Sequence, residues 1–181
     1  MVAIAADPIA QGYWLTTSNG RVIQFGAASF HGSPSLYGFN VGTTVKAIAS
    51  TPDGMGYWVA TSTGHVYQFG DANFLGSPAN SGMKLDNLVG MASDPAAQGY
   101  WLTTSNGRVI QFGAAVFYGS PTLDKLNVGT SVTAVASSPD GNGYWVLTST
   151  GRVIQFGDAS FLGSPSFYKM GITNAVGLAS P

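Results

Sequence analysis

The chain has 181 residues, a length that suits one domain with a sizeable core. Charged residues make up 8% of it, against roughly 25% in a typical soluble domain, and all eight acidic residues are Asp. The net charge of −1 and the scatter of seven Lys and Arg leave no basic stripe to neutralise a phosphate backbone, which argues against a nucleic-acid partner.

The first element in chain order is a small-residue strand at residues 2–7, followed by Gly12-Tyr13-Trp14 opening a second strand of Tyr-Trp-Leu-Thr-Thr. Ser18-Asn19-Gly20 then reads as a hairpin turn, with positive φ at both central residues of a type I′ turn. Arg21 to Phe25 is the third strand, and a fourth is expected around Phe30 before Gly32-Ser33-Pro34 closes the unit. The whole pattern recurs. Gly-Tyr-Trp begins again at Gly56, Gly99 and Gly143, in steps of 44, 43 and 44 residues. The aromatic positions recur as Trp14, Trp58, Trp101 and Trp145, each followed eleven residues later by Phe25, Phe69, Phe112 or Phe156. These eight are the expected structural core. Residues 11–28 repeat letter for letter at 98–115, so the chain is a doubled two-repeat unit.

Four strands per repeat of this length is a propeller-blade pattern. The predicted fold is therefore all-β: a β-propeller of four-stranded antiparallel blades, either a four-bladed ring or half of a larger ring closed by a second chain. The chain is read as one repeat domain with blade units at 2–44, 45–88, 89–131 and 132–174. Residues 175–181 are a surplus copy of the first strand. A surplus strand leaves three outcomes: a frayed end, a cut from a longer array, or a homodimer that shares strands or blades. Closure matters because an open propeller exposes sheet edges and apolar faces.

The run GYWLTTSNGRVIQFGAASFHGSP resembles the tandem GYW repeats, with pattern S-x-G-x-V-x-x-FGDA-x-F-x-GS, of secreted and cell-envelope proteins of actinobacteria. The resemblance covers nearly the whole chain. It implies a propeller-like fold, placement outside the cell or on its surface, and no catalytic residues in these repeats. Ala27 and Ala114 depart from the pattern, where the second and fourth repeats carry Asp71 and Asp158.

Chemistry-bearing motifs are few. The chain has no Cys, which removes disulfides, thiolate catalysis and Cys-ligated zinc. His31 and His65 do not recur between repeats, as a repeat-built metal site would. No nucleophile elbow, phosphate loop or calcium loop is present, so no cofactor and no metal are expected. Asp53 and Asp140 lie in Pro-Asp-Gly, where a turn explains them, and spacing does not suggest the carboxylate pairing of a glycosidase. The chain is accordingly read as no enzyme. Gln24, Gln68, Gln111 and Gln155 sit mid-strand in every repeat and are read as buried amides satisfied by backbone or by Ser and Thr. No apolar run is long enough to span a membrane, and Met1 leads into strand-like residues without the regions of a signal peptide.

The inter-repeat loops differ most and are the usual place for recognition on a rigid scaffold. Candidate ligand-binding residues are Tyr37, Lys84, Lys125 and Tyr168 in those loops, with Asp71 and Asp158. The expected function is a non-enzymatic module for extracellular binding or scaffolding, with a glycan or a protein as partner. Two alternatives are a carbohydrate-binding repeat lectin and an engineered or duplicated self-assembling scaffold.

Overall fold

The computed structural model describes residues 1–42, 44–96, 98–129 and 131–180. Thr43 and Thr130 of the inter-repeat loops, Ala97, and Pro181 at the end of the surplus strand lie outside the described residues. Among the described residues there are twelve strands and no helix. They form four antiparallel three-stranded sheets, each in sequence order. The first sheet holds β1 (Ala3–Ala6), β2 (Gly12–Thr16) and β3 (Val22–Gly26). The second holds β4 (Val45–Ser50), β5 (Gly56–Thr61) and β6 (Val66–Gly70). The third holds β7 (Leu88–Ser93), β8 (Gly99–Thr104) and β9 (Val109–Gly113). The fourth holds β10 (Val132–Ser137), β11 (Gly143–Thr148) and β12 (Val153–Gly157). The chain divides into two compact units, Met1–Leu88 and Val89–Pro181.

The expected fourth strand does not form, and the reason is where its backbone groups go. In each repeat the Trp indole donates to a carbonyl fifteen residues on: Trp14 to Ser29 at 2.7 Å, and Trp58, Trp101 and Trp145 to Asn73, Val116 and Ser160 at 2.8 Å. Within the first unit the Tyr57 hydroxyl donates to the Gly32 carbonyl at 2.6 Å and accepts the His31 N–H at 3.3 Å. The second unit repeats this with Tyr144, Gly119 (2.5 Å) and Tyr118 (3.3 Å). Backbone groups already bonded to side chains are not free for a sheet ladder. The segment after each third strand is thus a pinned tail rather than a strand.

Gly-Ser-Pro ends the tail for a local reason. Ser33, Ser77, Ser120 and Ser164 each accept, through Oγ, the N–H three residues on, as an N-cap does. Pro follows in the position where its missing N–H costs nothing. One turn closes by N–H to carbonyl bonds from Phe39 to Pro34, Met83 to Pro78, Leu126 to Pro121 and Met170 to Pro165. The residue just before each closing N–H is left-handed: Gly38, Gly82, Lys125 and Lys169, the last two at φ 54° and 56°.

The hairpins also differ from expectation. Gly20 is left-handed (φ 85°) but Asn19 is not. The Gly20 N–H donates to Thr17 and the Thr17 N–H to Arg21. That is a three-residue loop, a type I turn followed by a glycine bulge, not a two-residue type I′ turn.

Strand register gives every sheet two unlike faces. Tyr13 opposes Phe25, and Trp14 opposes Gln24, in the pairing of β2 with β3. Cross-strand partners share a face, so one face carries the Tyr–Phe pair and the other carries Trp. The core of the first unit forms where the Trp14 face, with Val22, meets the Tyr57–Phe69 face, with Ile48 and Val59. Trp14 and Tyr57 lie 5.3 Å apart, ring to ring. In the second unit Trp101 and Val109 meet Tyr144, Phe156, Val146 and Ile154, with Trp101 and Tyr144 at 5.4 Å.

All four Trp are buried, as are Phe69 and Phe156. Phe112 is half-buried. Phe25 is a correction to the expected core, at 43% exposed. Phe69 is covered by Tyr37 and Gly32 of the preceding repeat, and the first repeat follows no other in this sequence. The four Gln are a second correction, since all are exposed. They lie on the outer strand of each sheet, whose free edge the missing fourth strand would have covered. Residues 175–180 form no strand, although the Ala175 N–H donates to Ser149 as Val45 does to Ser18.

Trp101→Ala removes both the buried ring and the anchor of its tail, and is expected to cost about 3–5 kcal/mol, read as a large drop in melting temperature. Lys125→Gly relieves a left-handed backbone that disfavours side chains by about 1–2 kcal/mol, so it is expected to raise the midpoint of urea unfolding.

Candidate functional site

The outer edge carries two concave features. In the first sheet a recess of about 470 Å³ lies between β3 and its tail, lined by Arg21, Gln24, Phe30, Ser33, Ser35 and Leu36. In the fourth sheet the matching recess, about 310 Å³, is lined by Arg152, Gln155, Phe161, Ser164, Ser166 and Phe167. The two sets occupy the same repeat positions. The register puts the Gln on the Trp face of its sheet, at the exposed outer strand, the hairpin end presents Arg, and the capped turn supplies the Ser hydroxyls. Phe30 and Phe161 are exposed in both, so an aromatic ring stands beside a guanidinium, an amide and hydroxyls. Such a surface can stack on an apolar ligand face and hydrogen-bond its polar rim.

None of the six predicted binding residues lines either recess. Tyr37 is exposed and stacks on Phe39 at 6.1 Å and Phe69 at 5.9 Å, covering the next sheet. Tyr168 occupies the equivalent place and meets Phe167 edge-on at 5.2 Å. Lys84 and Lys125 are exposed, Lys125 on its turn and Lys84 just beyond one. Asp71 and Asp158 are exposed as well, at the opposite end of the third strand from Arg. The signal that could have found the recess was the recurrence of Gln in all four repeats with Arg in three of them, which suggested a buried amide instead.

The structure does bring together two carboxylate pairs that spacing did not suggest. Asp53 accepts from the Thr51 hydroxyl (2.8 Å) and the Met55 N–H (3.1 Å), and these bonds hold its carboxyl below the usual range. Asp71 beside it is raised, first by partial desolvation and then by Asp53. In the fourth sheet Asp140 accepts from Ser138 (2.7 Å) and Asn142 (3.2 Å) and is held at about 2. Asp158 is raised by desolvation and by Asp140. The Pro-Asp-Gly residues thus serve the turn, as expected, and each also faces the Asp of Phe-Gly-Asp. Both pairs are solvent-exposed. Among the described residues no cluster of three metal-ligating side chains occurs.

Asp140→Asn is expected to let Asp158 titrate closer to an ordinary carboxylate, measured by NMR of side-chain carboxyl shifts. An unmoved Asp158 would contradict the pairing. Because the folded Asp140 value lies below the unfolded one, its contribution is present above about pH 4 and is lost as pH falls toward 2. The variant should therefore lose less stability than the parent across that interval.

No family model and no curated protein sequence matches the chain. Among solved structures it is similar to an auxiliary nutrient binding protein from Bacteroides thetaiotaomicron, with 13% identity and a TM-score of 0.50. The match covers 85% of this chain and 37% of that one, so the chain spans well under half of that protein's length. At this identity the likeness concerns the fold alone.

Proposed function

We propose that this chain is a non-enzymatic, propeller-type repeat module that binds carbohydrate outside the cell. The observation that carries the reading is the pair of edge recesses, built from the same Arg, Gln, Phe and Ser positions in the first and fourth repeats. Sugar rings offer an apolar face for an aromatic ring and a rim of hydroxyls for amide, guanidinium and serine groups. The recesses are shallow and open at the outer edge, which suits a polymer running across the surface. A propeller arrangement is supported by the face-to-face seam in each unit and by the small residues of the first strands, such as Ala47 and Ala49. Each blade then has three strands, with the pinned tail in the fourth strand's place. Extracellular placement follows from the resemblance to envelope-protein repeats. Among the described residues no helix is long and apolar enough to cross a membrane.

Calorimetric titration with soluble cell-wall oligosaccharides is expected to show saturable binding at two equivalent sites per chain. The double variant Phe30→Ala/Phe161→Ala should weaken it roughly tenfold or more, the size of a lost stacking contact at an interface hot spot, while leaving the melting temperature close to the parent's. Absence of saturable heat across a panel of such sugars would overturn the reading.

A further inference from the structure

Each seam inside a unit joins the tail of one repeat to the Tyr–Phe face of the next by a fixed set of contacts. The Tyr hydroxyl binds the Gly carbonyl of the tail, at 2.6 Å for Tyr57 with Gly32 and 2.5 Å for Tyr144 with Gly119. Burial raises both hydroxyls to about 12, so they stay protonated donors at any ordinary pH. The residue before that Gly lays its ring on the Tyr: His31 on Tyr57 at 5.6 Å and Tyr118 on Tyr144 at 5.9 Å. The Gly itself is left-handed, and a Cβ on it would lie 2.8 Å from the Phe of the next sheet, at Gly32 with Phe69 and Gly119 with Phe156. A flat, side-chain-free place is thus kept for that ring. Tyr37 of the tail loop stacks over the same Phe.

The chain carries both halves of this contact a further time, and both are bare. On the first sheet Tyr13 and Phe25 stack on each other at 5.2 Å, with Tyr13 38% and Phe25 43% exposed, whereas Tyr57 and Tyr144 are fully buried. Ile4 on the same face is also exposed. On the last tail, Gly163 keeps the left-handed backbone (φ 101°), and the three atoms nearest its would-be Cβ all belong to its own tail's Tyr168. Leu162 before it is 75% exposed, and Tyr168 and Met170 are exposed beside it.

From these facts we infer that the tail at residues 161–170 of one chain docks on the Tyr13–Phe25 face of a second copy, reproducing the internal seam. The Tyr13 hydroxyl donates to the second copy's Gly163 carbonyl, Leu162 covers the Tyr13 ring, and Tyr168 stacks on Phe25. A second copy is the occupant because Tyr13, Phe25, Leu162 and Tyr168 are exposed, and because both halves hold the repeat positions that already meet in each internal seam, with Leu162 in the place of His31 and Tyr118. Each copy can give its tail to the other's face, so a pair uses both halves of each chain and holds eight sheets, within the range of about four to eight blades known for propellers.

Light scattering across roughly the 1–100 μM range, where interfaces of standard size associate, is the test. The expected mass is twice the 18.7 kDa chain. Phe25→Asp and Leu162→Asp each place a charge on one half at an exposed position, and each should weaken pairing roughly 30-fold or more, as loss of an interface hot spot does. Both variants should keep the parent's circular dichroism. Mixed together, they retain one intact seam and should regain pairs that neither forms alone. A single-chain mass at all concentrations, open-ended larger species, a dimer indifferent to both variants, or a mixture that fails to pair would each overturn the inference.

Discussion

The structure depends on side chains capturing the backbone of the segment after each third strand. An indole N–H takes one carbonyl of that segment in every repeat. A tyrosine hydroxyl of the following sheet takes another carbonyl and an N–H within each unit. A buried hydroxyl or indole that lost its partner would cost about 1–3 kcal/mol, so the capture is enforced from both sides. It removes the donors and acceptors a fourth strand would need, fixes the tail over the Trp ring, and delivers Ser and Pro to the turn that ends the repeat. Three-strand sheets, pinned tails and the seam between neighbours are consequences of one bonding pattern.

The same pattern leaves the outer strand with a free edge. Natural sheets protect such edges with charge, brevity or cover. Here the edge is five residues long, carries an outward Gln in each sheet, and in three repeats is entered by Arg. The tail lies alongside but apart from it, and the gap is the recess in the first and fourth repeats. A feature that stability alone would cover is instead lined with an exposed ring and hydrogen-bonding groups. The carboxylate pairs sit elsewhere, near the turn between the first two strands, and mark only the second and fourth repeats.

Because the two faces of a sheet are chemically unlike, repeats add in one direction. Within each unit the Trp face and its tail present to the Tyr–Phe face of the next sheet. The exposed Tyr13–Phe25 face and the exposed last tail are apolar surface of the kind that generally marks a contact site.

The sequence by itself determined the repeat, its phase and the first three strands of each unit, since turn chemistry and alternating apolar residues act over a few positions and need no distant partner. It also pointed to the burial of the four Trp, through their recurrence, and to the turn roles of Asp53 and Asp140, which their nearest neighbours settle. Tertiary structure decided the rest. The region around Phe30 has strand-like composition, but its backbone is claimed by Trp14 and by Tyr57, the latter from the next repeat. Gln24 and its counterparts look buried between apolar neighbours, yet on the outer strand of each sheet, opposite the buried Trp, they face water. Phe25 and Phe69 occupy identical repeat positions, and burial separates them because one has a tail laid over it and the other does not. A shared repeat position cannot encode that difference; place in the array does.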